Sequence, residues 1–327
     1  MKNCEASCDK TNLIRALKTN MAPILYKSDH RDQYHKIVKS YLKNMDSCLS
    51  IHEGHLVIKK KDKILVTFEK KLGSVSENGI AYMNLGKGFG KLLKFSCKLM
   101  PANVKNNAIE IAILAKTSKL VEQNKFPNMP MLYMAKKCSM PCEFKECPDL
   151  IQYNTYFIVL NELADYDLNN WFKESHSIKD YQSIILQLFL AILKFHKLGY
   201  IHDDLHLGNV LIHKITSGGV WHYKIGSEDI YVENTGYLLV LWDFGDVISI
   251  NDNNQISDYY RPFNIMYDQK LLPDKLRLII KPLLFNLEKK MKLSIKDEEQ
   301  LIIKIIKGTP FNISDKKGIL NITSYIV

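Results

Sequence analysis

The run His202-Asp203-Asp204-Leu205-His206-Leu207-Gly208-Asn209 brings two carboxylates, two imidazoles and a carboxamide together, and Asp243-Phe244-Gly245 follows at the end of the apolar run Leu238 to Trp242. Carboxylate and amide oxygens are hard ligands suited to magnesium. Phosphoryl transfer asks for little more than this. It needs metal ions bridging phosphate oxygens, a cation on the phosphates, and a carboxylate to orient the attacking hydroxyl.

The segment His202-x-Asp204-Leu205-x-x-x-Asn209 has the spacing of a kinase catalytic loop. From about Leu65 to Gly245 the chain resembles the protein-kinase-like superfamily; with both motifs in order, a chance loop of polar residues is the weaker reading. The resemblance implies that Asp204 is the catalytic base, that Asn209 holds metal through its amide oxygen, and that Asp243 is the metal aspartate at the end of a strand. It implies ATP as the phosphate donor and Mg2+, with Mn2+ as a substitute, as the metal. Lys98, in Phe95-Ser96-Cys97-Lys98-Leu99-Met100, resembles the strand lysine that contacts the α and β phosphates, with Glu110 as its helix partner; a plain surface lysine is the alternative. Leu72 to Tyr82 looks like a degenerate glycine-rich loop in which Gly73 and Gly79 let backbone amides approach phosphates. A simple hairpin is the other reading of that run. The second glycine run, Gly86-Lys87-Gly88-Phe89-Gly90, lies close to the next strand and is the less favoured phosphate loop. The strand Tyr156 to Leu160, running into Asn161-Glu162-Leu163-Ala164, resembles the interlobe hinge, which would make Glu162 to Ala164 the adenine-binding edge.

Departures from the family bear on the acceptor. Asp203 replaces the arginine that pairs with a phosphorylated activation loop in many kinases, so no such switch is expected. His206 stands where Ser/Thr kinases usually have lysine, and Asp-Leu-His-x-Gly-Asn is closer to small-molecule kinases of the aminoglycoside and choline types. Asp204 and Asp243 are 39 positions apart, about twice the family's usual separation, and the β-prone runs from Val220 to Val232 would form an inserted hairpin. No Ala-Pro-Glu motif follows Gly245, and about eighty residues remain, so the helical lobe is reduced. Richness in lysine, asparagine and isoleucine resembles Ser/Thr kinases encoded by large DNA viruses. The implied activity is transfer of the γ-phosphate of ATP to a hydroxyl, Ser/Thr of a protein substrate. A small-molecule acceptor, or a nucleotide-binding pseudokinase acting as a binding module, are the alternatives.

These residues need elements to position them, and 327 residues with 46% hydrophobic and 24% charged side chains have ample material for a core. Helical spacing runs from Lys10 to about Leu49, and strand patterns occupy Leu56 to Phe68, Ile80 to Met83, Leu92 to Leu99, Met131 to Tyr133 and Tyr156 to Leu160. A helix is predicted over Asn107 to Gln123. The stripe Ile185, Leu188, Phe189, Ile192 and Phe195 predicts a buried helix over Tyr181 to Leu198. Short strands follow to Trp242, then helices near Pro273 to Lys292 and Asp297 to Ile306. The expected fold is α+β and two-lobed: a helical N-terminal extension over 1–60, a β-rich lobe over 61–162 and a reduced helical lobe over 163–327.

No apolar run approaches the roughly 20 residues that cross a bilayer, and the N-terminus lacks the apolar core of a secretory signal. No membrane partner is expected. Seven cysteines, an odd number in a long chain, read as free thiols in a reducing cytoplasm, that of a host (or in a virion) if the chain is viral. Cys138, Cys142 and Cys147 lack the paired CxxC geometry of a zinc site. The net charge of +10 suits phosphates or an acidic partner. Lys59, Lys60, Lys61 and Lys63 read as a hairpin turn, and without interleaved aromatics no nucleic-acid partner is indicated.

Overall fold

A computed structural model describes residues 31–43, 45, 47–53, 55–60, 63–76, 78–88, 91–139, 154–250, 256–288, 293–308 and 322–327. They form two compact units, one from 31–111 and 131–163, the other from 112–130 and 164–327. The first is mostly β and the second carries most of the helices, an α+β arrangement.

The first unit is a seven-stranded antiparallel sheet. Its strands are β1 (Leu49–His52), β2 (His55–Lys60), β3 (Lys63–Ser76), β4 (Gly79–Gly88), β5 (Lys91–Pro101), β6 (Leu132–Ser139) and β7 (Thr155–Asn161), in the order β1-β2-β3-β4-β5-β7-β6. β1 and β6 are the two ends of that order, yet Cys48, just before β1, is disulfide-bonded to Cys138 of β6. The sheet therefore curls until its edges meet, and Tyr156 of β7 closes it further, its hydroxyl accepting from Leu49 N at 3.2 Å. The disulfide corrects the free-thiol reading at both positions and removes Cys138 from any zinc cluster; a separation of 90 residues leaves no local pairing signal. Cys142 and Cys147 lie outside the described residues.

Of residues 1–60, the described part is one helix, α1 (Arg31–Leu42), followed by β1 and β2. The first of the two helices expected between Lys10 and Leu49 lies outside the described residues. Tyrosine hydroxyls fasten α1 to the sheet. Past the end of the β7 pairing, Lys94 offers its main-chain groups to Tyr34, whose hydroxyl accepts from Lys94 N and donates to Lys94 O at 2.6 Å each. Tyr41 donates to Leu65 O.

The two glycine runs lie at opposite ends of β4, where Ser76 pairs with Gly79 and Gly88 with Lys91; Phe89 and Gly90 lie outside the described residues. Gly79 has φ +134°, and a Cβ there would lie 2.2 Å from Leu99 O of β5, so only glycine fits. Gly73 also has positive φ, +74°, but faces open space. Gly79→Ala is therefore expected to destabilise the chain by about 3 kcal/mol and Gly73→Ala by about 1 kcal/mol. Urea unfolding of the two variants checks the order; equal losses would refute the close-packing account.

In the second unit the central element is α4 (Ile178–Lys197), opened by a capping box in which Ser177 Oγ accepts from Asp180 N and Asp180 Oδ2 from Ser177 N. It is buried on nearly every side rather than along one stripe. Before it come β8 (Tyr166–Asp167) and the short α3 (Leu168–Trp171). After it, β9 (Tyr200–Ile201) leads into the candidate loop, and β10 (Val210–Lys214) pairs with β13 (Tyr237–Leu241). The hairpin expected within Val220 to Val232 is β11 (Val220–Ile225) with β12 (Glu228–Glu233). β14 (Ile248–Ser249) pairs with β9. Then follow α5 (Ile256–Asp268), α6 (Asp274–Glu288), α7 (Ile295–Lys307) and β15 (Ile322–Ile326), which joins β11 in parallel. α5 and β15 were not anticipated from sequence pattern; α5 carries Pro262 internally, a breaker by composition.

Candidate functional site

The loop after β9 is held from beneath by a buried carboxylate. Asp258 of α5 is 1% exposed and accepts from the main-chain N–H of His202 at 2.6 Å and of Asp203 at 3.0 Å. That grip sustains a left-handed backbone at Asp203, φ +63°, a conformation aspartate tolerates better than most residues. His202 is buried and donates from Nε2 to Trp242 O at 2.7 Å. The loop and the segment carrying Asp243 are thus tied together.

The backbone brings Asn209 and Asp243 to the same end of the β10–β13 pair. Val210 opposes Leu241, and Trp242 N donates to Asn209 O at 2.9 Å, so Asp243 is the next residue along the chain. β13 is an edge strand, and side chains together with the Asn128 carbonyl, which accepts from Leu241 N, bond its outer groups. Gln187 of α4 donates to Tyr237 O and accepts from Leu239 N, while Asn128 donates to Leu239 O. Asp243 ends this pinned strand in a left-handed conformation, φ +60°, and Phe244 behind it is buried against Phe195, ring centroids 5.1 Å apart.

Asn209 donates its amide N–H to Asp204 O at 2.9 Å, which orients its Oδ1 as the atom for a cation. Among the described residues no three His, Cys, Asp or Glu side chains converge. Asn209 Oδ1 with the Asp243 carboxylate fits a magnesium ion that draws its remaining ligands from phosphate and water, since that ion is commonly bound by one or two carboxylates plus substrate.

Asp204 has a cation on one oxygen. Arg261 Nη1 of α5 lies 2.5 Å from Oδ1, while the nearest described groups to Oδ2 are Asn209 Nδ2 at 3.5 Å and His206 Nε2 at 3.7 Å. His206 Nδ1 accepts from Gly208 N at 2.9 Å, which places the imidazole proton of the neutral ring on Nε2, towards Asp204. A Cβ at Gly208 would come within 2.8 Å of that ring.

Sequence reasoning missed Asp258, Arg261 and a further buried group, His196 of α4. Its Nε2 lies 2.9 Å from Asp258 Oδ2 and its Nδ1 2.7 Å from Glu298 Oε1 of α7, and Tyr259 donates to the same Glu298 oxygen at 2.6 Å. Burial pulls this imidazole towards neutrality, but hydrogen bonds and charge from Asp258 and Glu298 together prevail and raise it to about 9. Both ring nitrogens donating to carboxylates is the signature of an imidazolium.

In the first unit, Lys98 of β5 is buried and bonds Glu110 through both carboxylate oxygens, at 2.9 and 3.0 Å. Glu110 belongs to α2 (Lys105–Glu122), which starts two residues ahead of the expected position. Ala81 opposes both Lys98 and Leu72, so the Gly73–Gly79 end of β4 sits beside Lys98 while its Gly86–Gly88 end is roughly 20 Å further along. Lys98→Ala would remove the buried cation that Glu110 bonds through both carboxylate oxygens. The expected loss is about 3–5 kcal/mol, with Lys98→Ala plus Glu110→Gln recovering part of it in thermal melts; equal melting of the single and double variants would contradict the pairing.

Glu162, at the expected adenine edge, is bonded through both its side chain and its main chain. Its carboxylate is held by Arg31 Nε and Nη2 at 2.9 and 2.5 Å and by Met131 N at 2.9 Å. Its main-chain N–H donates to Met131 O, and its carbonyl accepts from Ser96 Oγ. These groups are committed inside the first unit. Ala164, half-buried, belongs to the second unit. The expected site residues thus gather as two sets, Asp204, Asn209 and Asp243 in one unit and Gly73, Gly79, Lys98 and Glu110 in the other. No helix among the described residues is long and apolar enough to cross a membrane. No protein-family model matches this chain, and no curated protein matches it.

Proposed function

We propose that the protein is an ATP- and magnesium-dependent phosphotransferase of the protein-kinase-like superfamily, acting on serine or threonine hydroxyls of a protein. One observation carries the reading: Asp204, Asn209 and Asp243 are linked by the bonds Asn209 Nδ2 to Asp204 O and Trp242 N to Asn209 O, on a loop anchored by Asp258. This is a base beside a pair of hard metal ligands. The buried Lys98–Glu110 pair supports it, as a fixed cation for the phosphates.

Magnesium, when bound, neutralises charge developing on the phosphate oxygens. The chain's own part is positioning. The acceptor hydroxyl lies on Asp204, its oxygen bonds to the γ-phosphorus, the bond to the bridging oxygen breaks with its electron pair leaving on ADP, and the proton passes to Asp204. Transfer from γ-labelled ATP to a mixed Ser/Thr protein acceptor in Mg2+ or Mn2+ tests this, and no label above the protein-free control in either metal would end it. A small-molecule acceptor is the second reading, favoured by His206 next to the base. ADP release over a panel of amines, sugars and alcohols separates the two.

A further inference from the structure

We infer that Arg261 is an acceptor-binding residue, and that the preferred acceptor is a serine or threonine peptide with an oxyanion, carboxylate or phosphate, beside the hydroxyl. This rests on the phosphotransferase reading. Asp258 and Arg261 are three residues apart and share a face of α5. The first holds the backbone of the loop at His202 and Asp203, and the second holds the side chain of Asp204. Arg261 is therefore fixed to the base by the same helix that fixes the loop.

Its chemistry is only partly used. A guanidinium has five N–H donors in a planar fork, and here one bond goes to Asp204 from a side chain that is 47% exposed. Asp204 Oδ1 carries that bond, whereas among the described residues Oδ2 has no donor closer than 3.5 Å. The acceptor hydroxyl is accordingly expected on Oδ2, and the groups flanking it then come within reach of the remaining arginine donors. Arginine binds carboxylate and phosphate through paired N–H bonds and repels cations. A chain of net charge +10 biases the surroundings in the same direction.

The test uses the full chain and three serine peptides that differ only in the residues flanking the serine: aspartate, phosphoserine or alanine. Wild type is expected to show a kcat/KM about tenfold or more higher for the anionic peptides than for the alanine peptide. Arg261→Ala should erase that ratio, chiefly through KM, and Arg261→Lys should restore part of it. The better of the two anionic peptides identifies carboxylate or phosphate as the group read. Absence of a preference in wild type overturns the inference. So does an Arg261→Ala effect of the same factor on all three peptides: a uniform loss makes Arg261 a strut for Asp204, and a uniform gain makes it a latch. Fluorescence anisotropy of the phosphoserine peptide without ATP gives a readout independent of turnover, expected to weaken about fivefold or more in Arg261→Ala. Peptide binding that depends on Arg261 in a protein that transfers no label would sink the phosphotransferase reading and the acceptor role together, and would do so distinguishably from a lack of peptide preference in an active enzyme.

Discussion

Asp243→Ala is expected to slow phosphate transfer from ATP by roughly a thousandfold, the scale on which preorganised electrostatic groups act in phosphoryl and acyl transfer. Asp243 combines a charge with an unusual backbone, φ +60°, so alanine changes two things at once. Asparagine separates them. It tolerates the left-handed region as well as aspartate does and keeps a carboxamide oxygen, but removes the negative charge that the Asn209–Asp243 ligand pair would bring to magnesium. Asp243→Asn should therefore melt close to wild type yet lose nearly as much activity as the alanine variant. The strand leading to Asp243 is pinned through Gln187 and Asn128. Initial rates with labelled ATP at saturating Mg2+ read the effect. If both variants stay within tenfold of wild type, Asp243 is not a metal ligand and the proposed chemistry fails at its centre.

Much of this centre was legible because it is local. His202, Asp204 and Asn209 fall within one loop, and the apolar run before Asp243 marks its strand. Strand periodicity over β2 to β5 and the apolar content of α4 were likewise carried by neighbours in sequence. What escaped were residues that act from a distance. Asp258 reaches the loop across 56 positions, Arg261 reaches Asp204 across 57, and Glu298 reaches His196 across 102. Nothing in an acidic residue near a helix start distinguishes a loop anchor from an ordinary helix-end charge. Cys48 and Cys138 are the same case, since only the curl of the sheet brings the two together. Glu162 shows the converse. Its place at the end of β7 suggested an interlobe hinge, while Arg31, from a helix ahead of the segment that carries the resemblance, holds its carboxylate.

The acidic anchors make stability depend on pH through His196, and here the expected effect is large. The folded protein holds the imidazolium to about pH 9, whereas the ordinary value is 6.5. Between those values the unfolded chain has released a proton that the native state keeps, so stability falls as pH rises. The contribution is complete below about pH 6.5, is lost progressively up to about pH 9 and is flat beyond; its size is about 3 kcal/mol. His196→Gln removes the titrating group and should abolish this fall, leaving a weaker protein whose urea midpoint changes little between pH 6.5 and 9 from this source. Asp258→Ala should be worse than His196→Gln at every pH. It strands a buried cation and also frees the N–H groups of His202 and Asp203, a loss of about 3–5 kcal/mol and on the order of 10 °C in Tm. Because those two N–H groups set the loop that carries Asp204, the same variant should lose phosphate transfer even at temperatures where it remains folded. Parallel pH profiles for wild type and His196→Gln would show that the His196 proton is not held between Asp258 and Glu298, and the link from α7 through α4 to the loop would then have to be given up.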